Sequence, residues 1–177
     1  GLVGSEMCIR DRYTIVATYS SETGSVELEP NDDQSSATRL TSGQSIEGNV
    51  SSTDDIDLYA LTVDAAGTIT IDFSTSDSDR DGWIFGLIDE SGNVLASRSC
   101  DPCYEEVSLS SGVAGAGTYY VRVISGSSYS RPEPSYTIVA TYSPETDGVE
   151  LEPNDDQSSA TRLTSGQSIE GNVSVSY

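Results

Sequence analysis

The sequence predicts an all-β protein, an antiparallel β-sandwich of about seven or eight short strands. Two observations carry the β-sandwich expectation. Valine, isoleucine, tyrosine and threonine recur in short alternating runs, the period of a half-buried strand. Between the runs stand Gly, Asp, Asn, Ser and Pro in clusters that read as turns, and no long run has helical spacing. Hydrophobic residues make up only 35% of the 177 residues, but their clustering in strands argues for a globular chain rather than an acidic disordered tail.

Taken in order, Ser45 to Val50 reads as a short edge strand. Ile56 to Val63 and Gly67 to Phe73 alternate cleanly. Trp83 to Asp89 and Asn93 to Ser97 flank Glu90-Ser91-Gly92, a hairpin turn. Glu105 to Leu109, Thr118 to Ile124 and Tyr136 to Tyr142 complete the set. The one helix candidate is a short turn over Asp32 to Leu40, with Asn31 or Asp32 as its N-cap.

Charge narrows the function. Lys and Arg number 8 against 29 Asp and Glu, for a net charge of −21, and histidine is absent. All the basic residues are arginine. Without histidine or lysine there is no Ser-His-Asp triad, no Cys-His pair, no histidine zinc site and no Schiff-base lysine. So negative a field disfavours nucleic acid and anionic membrane surfaces as partners and favours cations. No apolar run approaches the roughly 18 residues of a membrane helix. Residues 1–12 have no hydrophobic signal-peptide core.

The chain repeats itself. Residues 13–51 and 136–174 differ only in Ser21 against Pro144, Gly24 against Asp147 and Ser25 against Gly148. The period, about 120 residues, is that of a domain in a tandem array rather than a solenoid turn. Identity stops abruptly at both ends. GLVGSEMCIRDR, residues 1–12, looks like translated sequencing adapter, and residues 175–177 are expected to be foreign as well. The expected organisation is then residues 13–25 as the last strand of one repeat plus linker, 26–142 as one complete unit, and 143–174 as a linker and the start of the next. Residues 13–19 and 149–173 are expected to pack less well than the central unit.

The linker motif Glu27-Leu28-Glu29-Pro30-Asn31-Asp32 recurs at Glu150 to Asp155. It sets several oxygen-bearing side chains within one short extended stretch. Hard cations such as calcium take six to eight oxygens from carboxylates, amide carbonyls and backbone. Asp54-Asp55-Ile56-Asp57, opening the next strand, would supply the rest. The bland alternative is a solvated acidic linker.

The order E-x-E-P-N-D, S-A-T-x-L, GQSIEGNV, D-x-D-L-Y, A-A-G-T-I-T-I, D-E-S-G-N and G-A-G-T-Y-Y-V-R-V resembles the bacterial pre-peptidase C-terminal domain, a family related to the collagen-binding domains of clostridial collagenases. The resemblance spans Val26 to Tyr142. It implies a jelly-roll-like sandwich, without catalytic activity, on secreted or surface bacterial multidomain proteins. It also implies a calcium site of Glu27, Glu29, Asn31, Asp32, Asp54 and Asp57, with Asp55 as an alternative ligand. The family's collagen-contacting tyrosines do not map onto this chain, so collagen binding is not carried over.

Three further features bear on function. Asp77, Asp79 and Asp81 match the first half of an EF-hand loop, but the twelfth position is Ile88 and the flanks are strands. They are a second candidate calcium loop or a solvated turn. Cys100 and Cys103 lack the second pair of a zinc ribbon and precede a strand rather than a helix, so a disulfide is expected. Trp83 opens an apolar strand and is expected in the core rather than stacked on sugar. The reading is non-enzymatic: a calcium-stabilised repeat serving as stalk, adhesion or substrate-tethering module. Its partners would be neighbouring repeats and extracellular protein or polysaccharide. The rivals are an accessory domain of a secreted peptidase and a carbohydrate-binding module.

Overall fold

A computed structural model describes residues 26–52, 54–75, 82–101, 103, 105–125, 135–144 and 148–171. The two ends expected to be foreign, the strand expected at 13–19 and the Asp77, Asp79, Asp81 loop lie outside the described residues.

Among the described residues, ten strands form two five-stranded sheets. They are β1 (Thr38–Arg39), β2 (Ser45–Asn49), β3 (Ile56–Val63), β4 (Gly67–Thr75), β5 (Trp83–Ile88), β6 (Val94–Cys100), β7 (Val107–Val113), β8 (Gly117–Ser125), β9 (Ser135–Ser143) and β10 (Leu151–Glu152). One sheet runs β1-β3-β8-β5-β6, the other β10-β7-β4-β9-β2. All eight strand regions expected from sequence are present, and β2 is an edge as expected. The strand pattern departs from expectation in one respect. The outermost pairs β1–β3 and β10–β7 are parallel, so the sheets are mixed rather than antiparallel throughout. Each involves a strand of only two residues, too short to show any alternation.

The helix candidate at Asp32 to Leu40 does not form. Residues 34–36 are a turn that leads into β1. Asp33 rather than Asn31 or Asp32 caps it: its Oδ1 accepts the backbone N–H of Ser35 at 2.8 Å and of Ser36 at 3.0 Å. A side chain that bonds the backbone two and three residues on stabilises a turn as readily as a helix start. The 90–92 hairpin turn forms as expected, with Gly92 at φ 83° and Asp89 O accepting from Gly92 N at 3.0 Å.

Inward residues of both sheets make one core. Trp83 is 1% exposed, as expected, and so is no platform for a sugar. It packs 5.4 Å from Phe73 and 5.3 Å from Tyr136, centroid to centroid, and Phe73 stacks on Phe85 at 4.8 Å. This aromatic cluster joins the sheets from inside and fixes where Tyr136 points. Cys100 and Cys103, both buried, are joined by a disulfide.

Candidate metal centre

The site is built where the linker enters the sandwich. Residues 26–31 run beside β2, with a parallel bridge from Val26 to Glu47 and a bond from Glu27 N to Glu47 O at 2.9 Å. Leu58 N donates to Asn31 O at 3.0 Å, tying the end of the linker to β3. Along this stretch Glu27 and Asn31 turn inward, both buried, and Leu28 stays outside. Asp57 and Tyr59 reach the same place from β3, and Tyr136 from the start of β9.

Carboxylate oxygens of Glu27, Glu29 and Asp57 all lie within 4.8 Å of one another. Glu27 is held on both oxygens. Oε1 accepts Asn49 N at 2.5 Å, while Oε2 accepts the Tyr59 hydroxyl at 2.6 Å and Asn31 Nδ2 at 3.3 Å. Glu29 accepts Asn31 N at 3.1 Å. The Tyr59 and Tyr136 hydroxyls meet at 2.6 Å, and Tyr136 hydrogen-bonds Asp57. Gly48 makes room for this: a Cβ there would stand 2.3 Å from the Tyr59 hydroxyl oxygen and 2.6 Å from Tyr136. A side chain at that position would have to displace both phenols.

Burial sets the protonation of these groups. Asp57 is pushed up to about 8, first by desolvation and then by the charges of Glu27, Asp55 and Glu29, against the opposing hydrogen bond from Tyr136. Glu29 is also raised, by desolvation first and the Glu27 charge second. Desolvation holds both phenols well above their ordinary range, so they stay protonated.

Among the described residues, three buried oxygens accept no hydrogen bond: Asn31 Oδ1, Asp57 Oδ1 and Asn49 Oδ1. Asn31 and Asp57 are both 0% exposed. An unpaired buried acceptor costs free energy, of order 1–3 kcal/mol, unless a bound partner satisfies it. The donor set is entirely oxygen and heavily anionic, the set hard cations favour.

Of the residues expected at a calcium site, the structure gathers Glu27, Glu29, Asn31 and Asp57. Asp32 lies at the margin, exposed, its Oδ1 accepting Ile56 N at 3.4 Å. Asp54 is not brought in: it is exposed, with its N–H on Ser52. Asp55 is buried instead, but one carboxylate oxygen already accepts Ser51 N at 2.5 Å. Sequence reasoning missed Asn49, Tyr59 and Tyr136. The tyrosine of D-L-Y carried a signal, since alternation from Asp57 puts Tyr59 on the same face. Nothing local marks Tyr136, which is brought in by the pairing of β9 with β2 and β4.

Fold and site together define a two-sheet β-module with an acidic cradle at its N-terminal entry. Residues 55–125 match the family model of the bacterial pre-peptidase C-terminal domain. Over those residues the chain is similar to that family, whose domains are non-catalytic accessory β-domains found in secreted bacterial proteins. Among solved structures, the pre-peptidase C-terminal domain of the collagenase from Bacillus anthracis is similar at 22% identity and a TM-score of 0.46, covering 65% of this chain and 100% of that one. The periplasmic g-type lysozyme inhibitor PliG of Aeromonas hydrophila is similar at 11% identity and a TM-score of 0.48, covering 68% and 99%. The comparison with curated proteins finds no match. Among the described residues, no helix is long and apolar enough to cross a membrane.

Proposed function

We propose that the unit is a calcium-stabilised repeat of an extracellular bacterial stalk. The observation that carries the cation is the buried, unsatisfied Asn31 Oδ1 and Asp57 Oδ1 beside three converging carboxylates. Glu27, Glu29, Asp57 and Asn31 would hold the ion, with backbone oxygens or water filling the remaining positions calcium requires. Bound calcium supplies positive charge that offsets carboxylate repulsion and ties the linker to β3. Tyr59 and Tyr136 orient Glu27 and Asp57 and are positioning residues rather than ligands. The near-identical neighbouring copies support a stalk, since a single targeting domain needs no duplicates.

Calcium titration of the chain by calorimetry tests the reading. One site is expected, lost in Glu27→Gln and in Asp57→Asn. No heat above that of a chelated control would leave the linker as acidic surface. The second reading, a tethering domain of a secreted peptidase, is supported by the family match. It is favoured if the chain is retained on insoluble protein or polysaccharide.

A further inference from the structure

The two copies of the linker fold alike but face different surroundings. Val26 bridges Glu47 and Val149 bridges Glu170, each in parallel. Leu28 N donates to Thr38 Oγ1 at 3.0 Å, and Leu151 N to Thr161 Oγ1 at 2.9 Å. Asn31 Nδ2 reaches Glu27 and Asn154 Nδ2 reaches Glu150, both at 3.3 Å. The local geometry therefore belongs to the linker sequence itself. Among the described residues they differ on both sides: only the first copy enters a sandwich, burying Glu27 and Asn31, and only the second is covered on its outward side. In the second copy Leu151 and Glu152 add to β7 of the sandwich as a parallel edge strand, in register with Gly112 and Val113, and Ala114 N donates to Glu152 O at 3.2 Å. In the first copy the same side is open among the described residues: Val26 is 60% and Leu28 69% exposed. Val149 and Leu151 are half-buried.

We propose that this pairing is the joint of the array. Each repeat's linker adds as an edge strand to β7 of the preceding repeat, while its Glu and Asn side chains enter the sandwich that follows. The surface formed by Val26 and Leu28 is then the seat for β7 of a preceding copy of this unit. Two features support a dedicated joint. β7 would otherwise be the open edge of its sheet, and open edges need covering. Gly112, the penultimate residue of β7, lets the linker backbone approach: a Cβ there would meet Glu150 O at 2.0 Å, Glu150 C at 3.0 Å and Leu151 Cδ2 at 3.2 Å. These nearest neighbours all belong to the docked linker, so the missing side chain serves the joint rather than the sandwich.

Consecutive sandwiches are thereby held by backbone hydrogen bonds through one shared segment rather than by a loose tether. A cation that fixes the inward face of the linker stiffens the same segment whose outward face forms the joint. The joint rests on the stalk reading of the array, but its backbone pairing needs no cation.

Hydrogen exchange with mass spectrometry on the full chain, in EDTA, tests it. The wild type should protect residues 149–153 relative to the exposed turn at 156–159. Gly112→Val should speed exchange there by about tenfold or more. Gly115→Val, at a glycine whose Cβ would meet nothing within 4 Å, should not. Leu151→Asp lies in the linker rather than in the core of the sandwich and should give the same loss as Gly112→Val while leaving exchange in β3 and β4 slow. Equal exchange at 149–153 in wild type and both joint variants overturns the proposal. A parallel run in calcium reads residues 26–31. Absent calcium protection there, with the joint intact at 149–153, counts against the cation and leaves the joint standing.

Discussion

Replacing Asp57 by asparagine should stabilise the cation-free protein at high pH and abolish its response to calcium. Three carboxylates within 4.8 Å of one another repel by about 3.5 kcal/mol per pair at an effective dielectric near 20. Desolvation of the buried carboxyl is the larger cause and these neighbouring charges add to it; together they hold the Asp57 pKa at about 8, against an ordinary aspartate value near 4. The folded protein therefore keeps a proton that the unfolded chain releases near pH 4. The stability this group contributes in EDTA should be full below that point and fall as pH rises towards 8, by up to about 1.4 kcal/mol per pH unit. An asparagine side chain carries no titrating proton, so that part of the slope disappears in the variant. Its amide can donate to the neighbouring acids. Calcium at a hundredfold excess over its dissociation constant should add about 2.7 kcal/mol to the wild type, or on the order of 10 °C in midpoint, and nothing to Asp57→Asn. Thermal unfolding followed by circular dichroism at pH 5 and pH 8, in EDTA and in calcium, measures all four conditions for each protein. Equal calcium stabilisation of both proteins, or equal pH slopes in EDTA, would refute the reasoning.

Other perturbations test how the site is held. Gly48→Ala places a Cβ against the Tyr59 hydroxyl and the Tyr136 ring; a loss of about 1–3 kcal/mol is expected in urea unfolding, and an unchanged midpoint would mean the phenols shift freely. Tyr136→Phe removes a hydroxyl from both Asp57 and Tyr59 and should cost about 1–3 kcal/mol. It should also raise the Asp57 pKa further, as read by carboxyl chemical shifts. Phe73→Ala empties the centre of the aromatic cluster and should cost about 3–5 kcal/mol. Native-state Trp83 emission should move to the red, and an unshifted spectrum would mean that the core closes over the gap.

What the sequence determined by itself is the part governed by local rules. Alternation in IDLYALTV and GTITIDF made β3 and β4 legible, because a strand buried on one face must alternate. Asp89 to Asn93 was legible as a hairpin because its turn is built from its own side chains. The E-x-E-P-N-D linker was legible as a cation candidate because its charges are adjacent in sequence, and the second copy shows that its local geometry recurs in different surroundings. The tertiary structure decided the rest. Asp54 and Asp57 are equivalent by composition, yet only Asp57 lies on the inward face of β3 against Glu27. Tyr136 stands far along the chain and enters the site only because β9 pairs with both β2 and β4. The two-residue strands β1 and β10 have no periodicity to read; they exist because an open sheet edge was available to pair with. Asp33 formed a turn rather than a helix cap because the chain had to reach β3, and tertiary pairing outweighed a weak local preference.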